Sequence, residues 1–181
     1  MYFHCAPNSV EFDKECRRLL KNIHFFDVLR SDRSIASNGL EPRTPFLDKS
    51  FVETYLSIPP NIRNHSLKKN IEKYLLRTAF EKDKLLPKEI LFRKKEAFSD
   101  GVSSLEKSWY TIIQSHIQND YAIQELIKTI DGDLTDEQKY YKCIFLKLYP
   151  NCERTIPYYW MPRFVKATDS SARTLSVYKK I

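Results

Sequence analysis

Apolar positions in this chain recur every three or four residues, the period of a helix that buries one face. Phe12, Cys16, Leu19, Leu20, Ile23 and Phe26 form the first such stripe. It predicts one helix from Ser9, acting as N-cap with Glu11 in the first turn, to about Ser37. Asn38-Gly39 suits a left-handed termination there. Asp48 predicts a cap for a short helix over Lys49–Ser57, which ends ahead of Pro59-Pro60. Residues 71–81 read as amphipathic, with Ile71, Leu75, Thr78 and Ala79 on one side. Pro87 opens a single turn as its first residue.

Leu105, Trp109, Ile112, Ile113, His116 and Ile117 mark the next helix, capped by Ser103 or Ser104 and reaching about Asn119. Another covers residues 121–130. Thr135 with Gln138 spells a capping box for a helix to about Tyr149, where Pro150 stops it. Tyr158, Tyr159, Trp160, Met161 and Pro162 belong to an extended tail over the helices, and residues 168–181 are expected to be mobile. Strand-type alternation is scarce, so the fold class is mainly α.

Composition narrows this picture. At 181 residues the chain is about one domain, and 42% hydrophobic content is enough for a core. A 13% aromatic share argues against a disordered tail protein. The net charge of +7 admits an anionic partner without choosing one. Cys5, Cys16, Cys143 and Cys152 show no C-x-x-C spacing, so they are expected to be free thiols and no zinc site is expected. No 18-residue apolar run or signal peptide is present, so no membrane association is expected and the cytoplasm is the expected compartment.

The stretch Leu91–Ser104 carries the most suggestive chemistry. Arg93, Lys94 and Lys95 are adjacent, followed by Glu96, Phe98 and the turn Ser99-Asp100-Gly101. Such a stretch either holds an anion or is a solvated basic loop. Arg30 and Arg33 lie where a helix C-terminus favours cations, which also suits plain surface arginines. Glu41 and Arg43, two apart in a segment stiffened by Pro42 and Pro45, point the same way when extended. They can pair with each other, or one can hold a substrate. Only Gly39, Gly101 and Gly132 are present, so no glycine cluster cradles a phosphate. The four histidines are isolated, and Asp131-Gly132-Asp133 lacks the later ligands of a calcium loop. No metal site is assigned.

Two stretches together, LRSDRSIASNGLEPRTPFLD (residues 29–48) and RKKEAFSDG (residues 93–101), resemble the C-terminal part of glutamine-dependent asparagine synthetases. The resemblance continues in Tyr2-Phe3-His4 with Ala6-Pro7-Asn8, in Ile71-Glu72-Lys73 with Leu75-Leu76-Arg77, and in residues 86–91 (LPKEIL). It closes with Tyr159-Trp160-Met161-Pro162, Ala167-Thr168-Asp169 and Ser171-Ala172-Arg173-Thr174-Leu175. Pro42 and Thr44 depart from the small or aliphatic residue and the valine usual in that family.

The resemblance implies that residues 1–181 are the helical C-terminal portion of an α/β, PP-loop-type synthetase domain whose parallel sheet is missing. The glycine-rich SGGxDSS loop and the acidic SGExSDE stretch are absent, and Tyr2 stands where the family has a catalytic cysteine. The implied chemistry is ATP-dependent amidation of aspartate through a β-aspartyl-AMP intermediate, with ammonia derived from glutamine. Lys95 is implied as the catalytic cation. Arg33, Glu41, Arg43, Ser99 and Asp100 are implied to bind nucleotide or substrate. ATP with Mg is the implied cofactor, held mainly by the missing part. The missing N-terminal segments or a homodimer mate are the implied partners, and the chain alone is expected to be inactive. The alternative is a non-catalytic helical interaction module that meets a partner or nucleic acid through a basic face. Dispersed basic residues argue against nucleic acid.

Overall fold

The computed structural model describes residues 5–68, 71–93 and 107–170. These are helical with irregular connections, and no strand occurs among them. The chain divides into two compact units, Met1–Lys95 and Glu96–Ile181.

In the first unit, α1 spans Ser9–Asn22. Its cap is Asn8 rather than Ser9: the Asn8 side chain accepts from the amides of Val10 and Glu11, both at 3.0 Å. The single long helix expected from the apolar stripe is instead two. A 3-10 turn over Ile23–Phe25 intervenes, and α2 spans Asp27–Ala36. The break falls at Phe26, with φ −124° and ψ −99°. Consecutive residues on a helix point about 100° apart, so His24, Phe25 and Phe26 cannot share one stripe. The turn re-aims them, and Phe25 meets both the His24 ring at 3.9 Å and the Phe26 ring at 6.5 Å between centroids.

Helix α2 ends as the sequence predicts. Gly39 takes φ +71°, its amide bonds to the Ala36 carbonyl, and the Leu40 amide reaches the Ile35 carbonyl. That is the crossed pair of hydrogen bonds of a glycine C-terminus. After a 3-10 turn over Pro45–Leu47, α3 spans Lys49–Ser57, capped by Asp48 as expected. Helix α4, Pro60–Arg63, follows, with a 3-10 turn at His65–Leu67.

Helix α5 covers only Tyr74–Ala79, shorter than the 71–81 pattern implies. Lys73 lies in the left-handed region at φ 57°, which delays the start. Helix α6 spans Lys88–Leu91, with Pro87 one position earlier than expected, at the cap.

The interior of this unit is largely polar. Arg63, Asn64, His65 and Glu15 are buried alongside Phe12 and Leu91. The fully buried Arg63 side chain forms an ion pair with Asp13 of α1, donates to the Ile58 carbonyl at 2.8 Å and lies 5.2 Å over the Tyr55 ring. Asn64 donates to the Ser9 hydroxyl at 3.3 Å, and His65 packs edge-on against Phe12. Two helices distant in sequence are thus joined by directional contacts.

In the second unit, α7 spans Trp109–Asn119, with Ser108 as the observed cap. Ser103 and Ser104 lie outside the described residues. Helix α8 covers Tyr121–Lys128 and is capped by Asp120. Helix α9, Asp136–Leu148, carries the expected capping box of Thr135 and Gln138. Ile113, Ile117 and Ile127 form its core, with Ile123 and Tyr140 packed against it. Beyond α9, a 3-10 turn at Glu153–Thr155 is tied back by an ion pair between Lys142 and Glu153. Residues 171–181 of the expected mobile tail lie outside the described residues.

Candidate functional site

The residues implicated by sequence divide into two groups. Lys95, Ser99 and Asp100 lie outside the described residues. Arg33, Glu41 and Arg43 belong to the first unit and flank the Gly39 termination of α2.

Arg33 sits in the last turn of α2, exposed, and forms no ion pair among the described residues. Its charge lies at the negative end of the helix dipole. That leaves a guanidinium available to an external anion. Arg30 is already committed to Asp27 at 2.6 Å.

Glu41 and Arg43 meet each other. One Arg43 nitrogen lies 3.0 Å from a Glu41 oxygen and the second lies 3.1 Å from the other, a two-bond pairing. Both side chains are mostly exposed. An ion pair in water is worth little, so a better-fitting ligand can separate it cheaply.

The approach to the basic stretch is built with more care than the sequence suggests. Arg77 on α5 donates from Nε to the Glu72 carbonyl at 2.8 Å, and from Nη1 to the Leu91 carbonyl. Leu91 is buried, so this guanidinium fixes the backbone just ahead of Arg93. Nothing local in the sequence pairs residue 77 with residue 91. Beside this anchor, a groove of about 520 Å³ is lined by Glu81, Lys82, Lys84, Leu86, Pro87, Lys88 and Leu91.

The buried charge network lies elsewhere in the unit, around Arg63. Burial alone would raise the Asp13 carboxyl, but hydrogen bonds from Arg63 and Arg17 outweigh it and hold the pKa below its ordinary value. Burial pushes the Cys16 thiol up to about 11, only partly offset by Arg63. Such a thiol is inert rather than nucleophilic at neutral pH. All four cysteines are free. Among the described residues no group of three or more His, Cys, Asp or Glu side chains is placed to hold a metal ion. No helix among them is long and apolar enough to cross a membrane.

The asparagine synthase family profile matches residues 5–173. This chain belongs to the asparagine synthase family. It is 50% identical over 184 residues to the glutamine-hydrolyzing asparagine synthetase of Gallus gallus, and 48% identical over the same length to that of Bos taurus. Against the Homo sapiens protein of that name it is 44% identical. Each match takes in 99% of this chain but 32% of the relative. The chain therefore spans about a third of the length of these family members. The stretches that pointed to the family in sequence lie almost wholly inside the matched region. The helical architecture is consistent with a helical part of a synthetase domain.

Proposed function

We propose that residues 1–181 form the helical C-terminal part of the synthetase domain of a glutamine-hydrolysing asparagine synthetase. The reaction is ATP-dependent amidation of aspartate by way of β-aspartyl-AMP, with glutamine-derived ammonia as the nitrogen source. Family membership over nearly the whole chain, at up to 50% identity, carries this reading.

Negative charge develops on the α-phosphate and the leaving pyrophosphate during adenylation, so preplaced cations lower that barrier. Lys95 is the catalytic cation in this reading. Arg33, unpaired and exposed at the end of α2, fits a phosphate and supports Lys95. Glu41 and Arg43 exchange their mutual pairing for contacts to nucleotide or substrate, and Ser99 and Asp100 shape the basic loop. ATP supplies the activating adenylyl group when bound. Its phosphates and Mg are held mainly by polypeptide outside these residues, a reading supported by the lack of a glycine cluster in the sequence. A parallel-sheet PP-loop core, cytoplasmic location and the remainder of the synthetase as partner complete the proposal.

The test is aspartate- and ATP-dependent pyrophosphate release. It is measured for the chain alone and with the part of the Gallus gallus relative that lies outside the match. Turnover is expected only in the mixture. Robust turnover by the lone chain, or none in a mixture that binds, overturns the proposal.

A further inference from the structure

We infer that the Phe46–Phe51 face of the first unit is the docking surface for the polypeptide that makes up the other two thirds of these synthetases. This rests on the functional reading above. Phe46 is 60% exposed and Phe51 is 40% exposed. A single exposed apolar residue means little, but these two form an ordered pair, edge to face, with ring centroids 5.4 Å apart.

Two elements hold them in place. Pro45 sets the 3-10 turn that carries Phe46. Asp48 caps α3 by accepting from the Ser50 and Phe51 amides at 2.9 and 3.2 Å. A backbone already fixed on both sides of the ring pair loses little freedom on binding, which suits an interface anchor. Charged pairs occur in the same segment, Glu41 with Arg43 and Lys49 with Glu53, matching the polar rim of an interface.

Neither ring belongs to the buried interior of the first unit, where Phe12 and Leu91 are the buried large hydrophobics among the described residues. The chain also spans only 32% of its relatives. A second copy would bring Glu41 and Arg43 nothing this chain lacks. The rest of the synthetase would bring them the nucleotide-holding polypeptide, because Phe46 and Phe51 lie just downstream of both.

The experiment titrates the full 181-residue chain with the purified remainder of the Gallus gallus synthetase, following binding by calorimetry. Phe46→Asp and Phe51→Asp are each expected to weaken binding by about 30-fold or more, the scale of an aromatic anchor. Hydrogen exchange on the wild-type chain gives a second readout that needs no variant: the amides around Phe46 and Phe51 should gain protection when the remainder is added. Unchanged binding by both variants, unchanged exchange, or no binding at all overturns the inference. So does a self-association of the wild-type chain in sedimentation that Phe46→Asp abolishes, since it assigns the face to a second copy. Ring-dependent binding without aspartate-dependent pyrophosphate release leaves this surface standing and sinks the functional reading instead.

Discussion

The two units solve the same packing problem with different chemistry. The second gathers Ile113, Ile117 and Ile127 from α7 and α8 into an apolar cluster, closed by Tyr140 of α9. The first holds α1 to α4 through buried polar groups: Arg63 on Asp13, and Asn64 on Ser9. Apolar burial is non-directional and tolerates small shifts. A buried ion pair is worth having only while its geometry is kept, and losing one partner strands a charge. The first unit is therefore specified by a few contacts, and it leaves ordered aromatic rings facing outward. Under the proposed function, that design suits a segment completed by another stretch of polypeptide.

The sharpest way to break this contrast is Arg63→Ala. It should destabilise the first unit by about 3–5 kcal/mol, because the buried guanidinium's contacts to Asp13, the Ile58 carbonyl and the Tyr55 ring are lost together, even though Asp13 keeps Arg17. Hydrogen exchange should accelerate in α1 and α4. A change confined to a few tenths of a kcal/mol in a denaturant titration would mean the ion pair does not organise the unit.

Ile117→Ala probes the other side. Removing a fully buried branched side chain costs about 2–5 kcal/mol, with the exchange increase centred on α7 and α8.

Acid separates the two next. The folded pKa of Asp13 is depressed, so its contribution is complete above the ordinary value of 3.8 and is lost as pH falls through the folded value. Amides of α1 should lose protection below about pH 4 in the wild-type chain. Asp13→Asn should flatten that dependence, and an identical acid profile in this variant would remove Asp13 from the explanation.

The smallest effect is on thiol chemistry. With its pKa at about 11 and its side chain largely buried, Cys16 should react with a thiol reagent at pH 8 well after exposed Cys5. Mass spectrometry of partially labelled protein reads the order directly, and early labelling of Cys16 would contradict the packing around Arg63.

What was legible in the sequence was local. The Asp48 cap, the Thr135–Gln138 box and the Gly39 termination each depend on residues within one turn, so their chemistry can be read from spacing. The pairing of Glu41 with Arg43 follows from the same short range. The break at Phe26 was hidden because the apolar stripe of α1 keeps its spacing through Ile23 and Phe26, across the 3-10 turn. The Asp13–Arg63 pair joins residues fifty positions apart, and no periodicity encodes that. Arg77 was visible only as part of a family-like segment, not as the side chain that fixes the Leu91 backbone. For the candidate site, family pattern in the sequence nominates Lys95, Arg33, Glu41, Arg43, Ser99 and Asp100. The exposure of Arg33, Glu41 and Arg43, and the direct pairing of Glu41 with Arg43, are visible only in the structure.

The proposed role of Lys95, a cation acting on a nucleotide held by the rest of a synthetase, is tested most directly by Lys95→Met in the mixture of this chain with the remainder of the Gallus gallus enzyme, following aspartate-dependent pyrophosphate release. The rate should fall by about 10²–10³ while calorimetry shows assembly of the two pieces unchanged. Full turnover by the Lys95→Met mixture would contradict the claim.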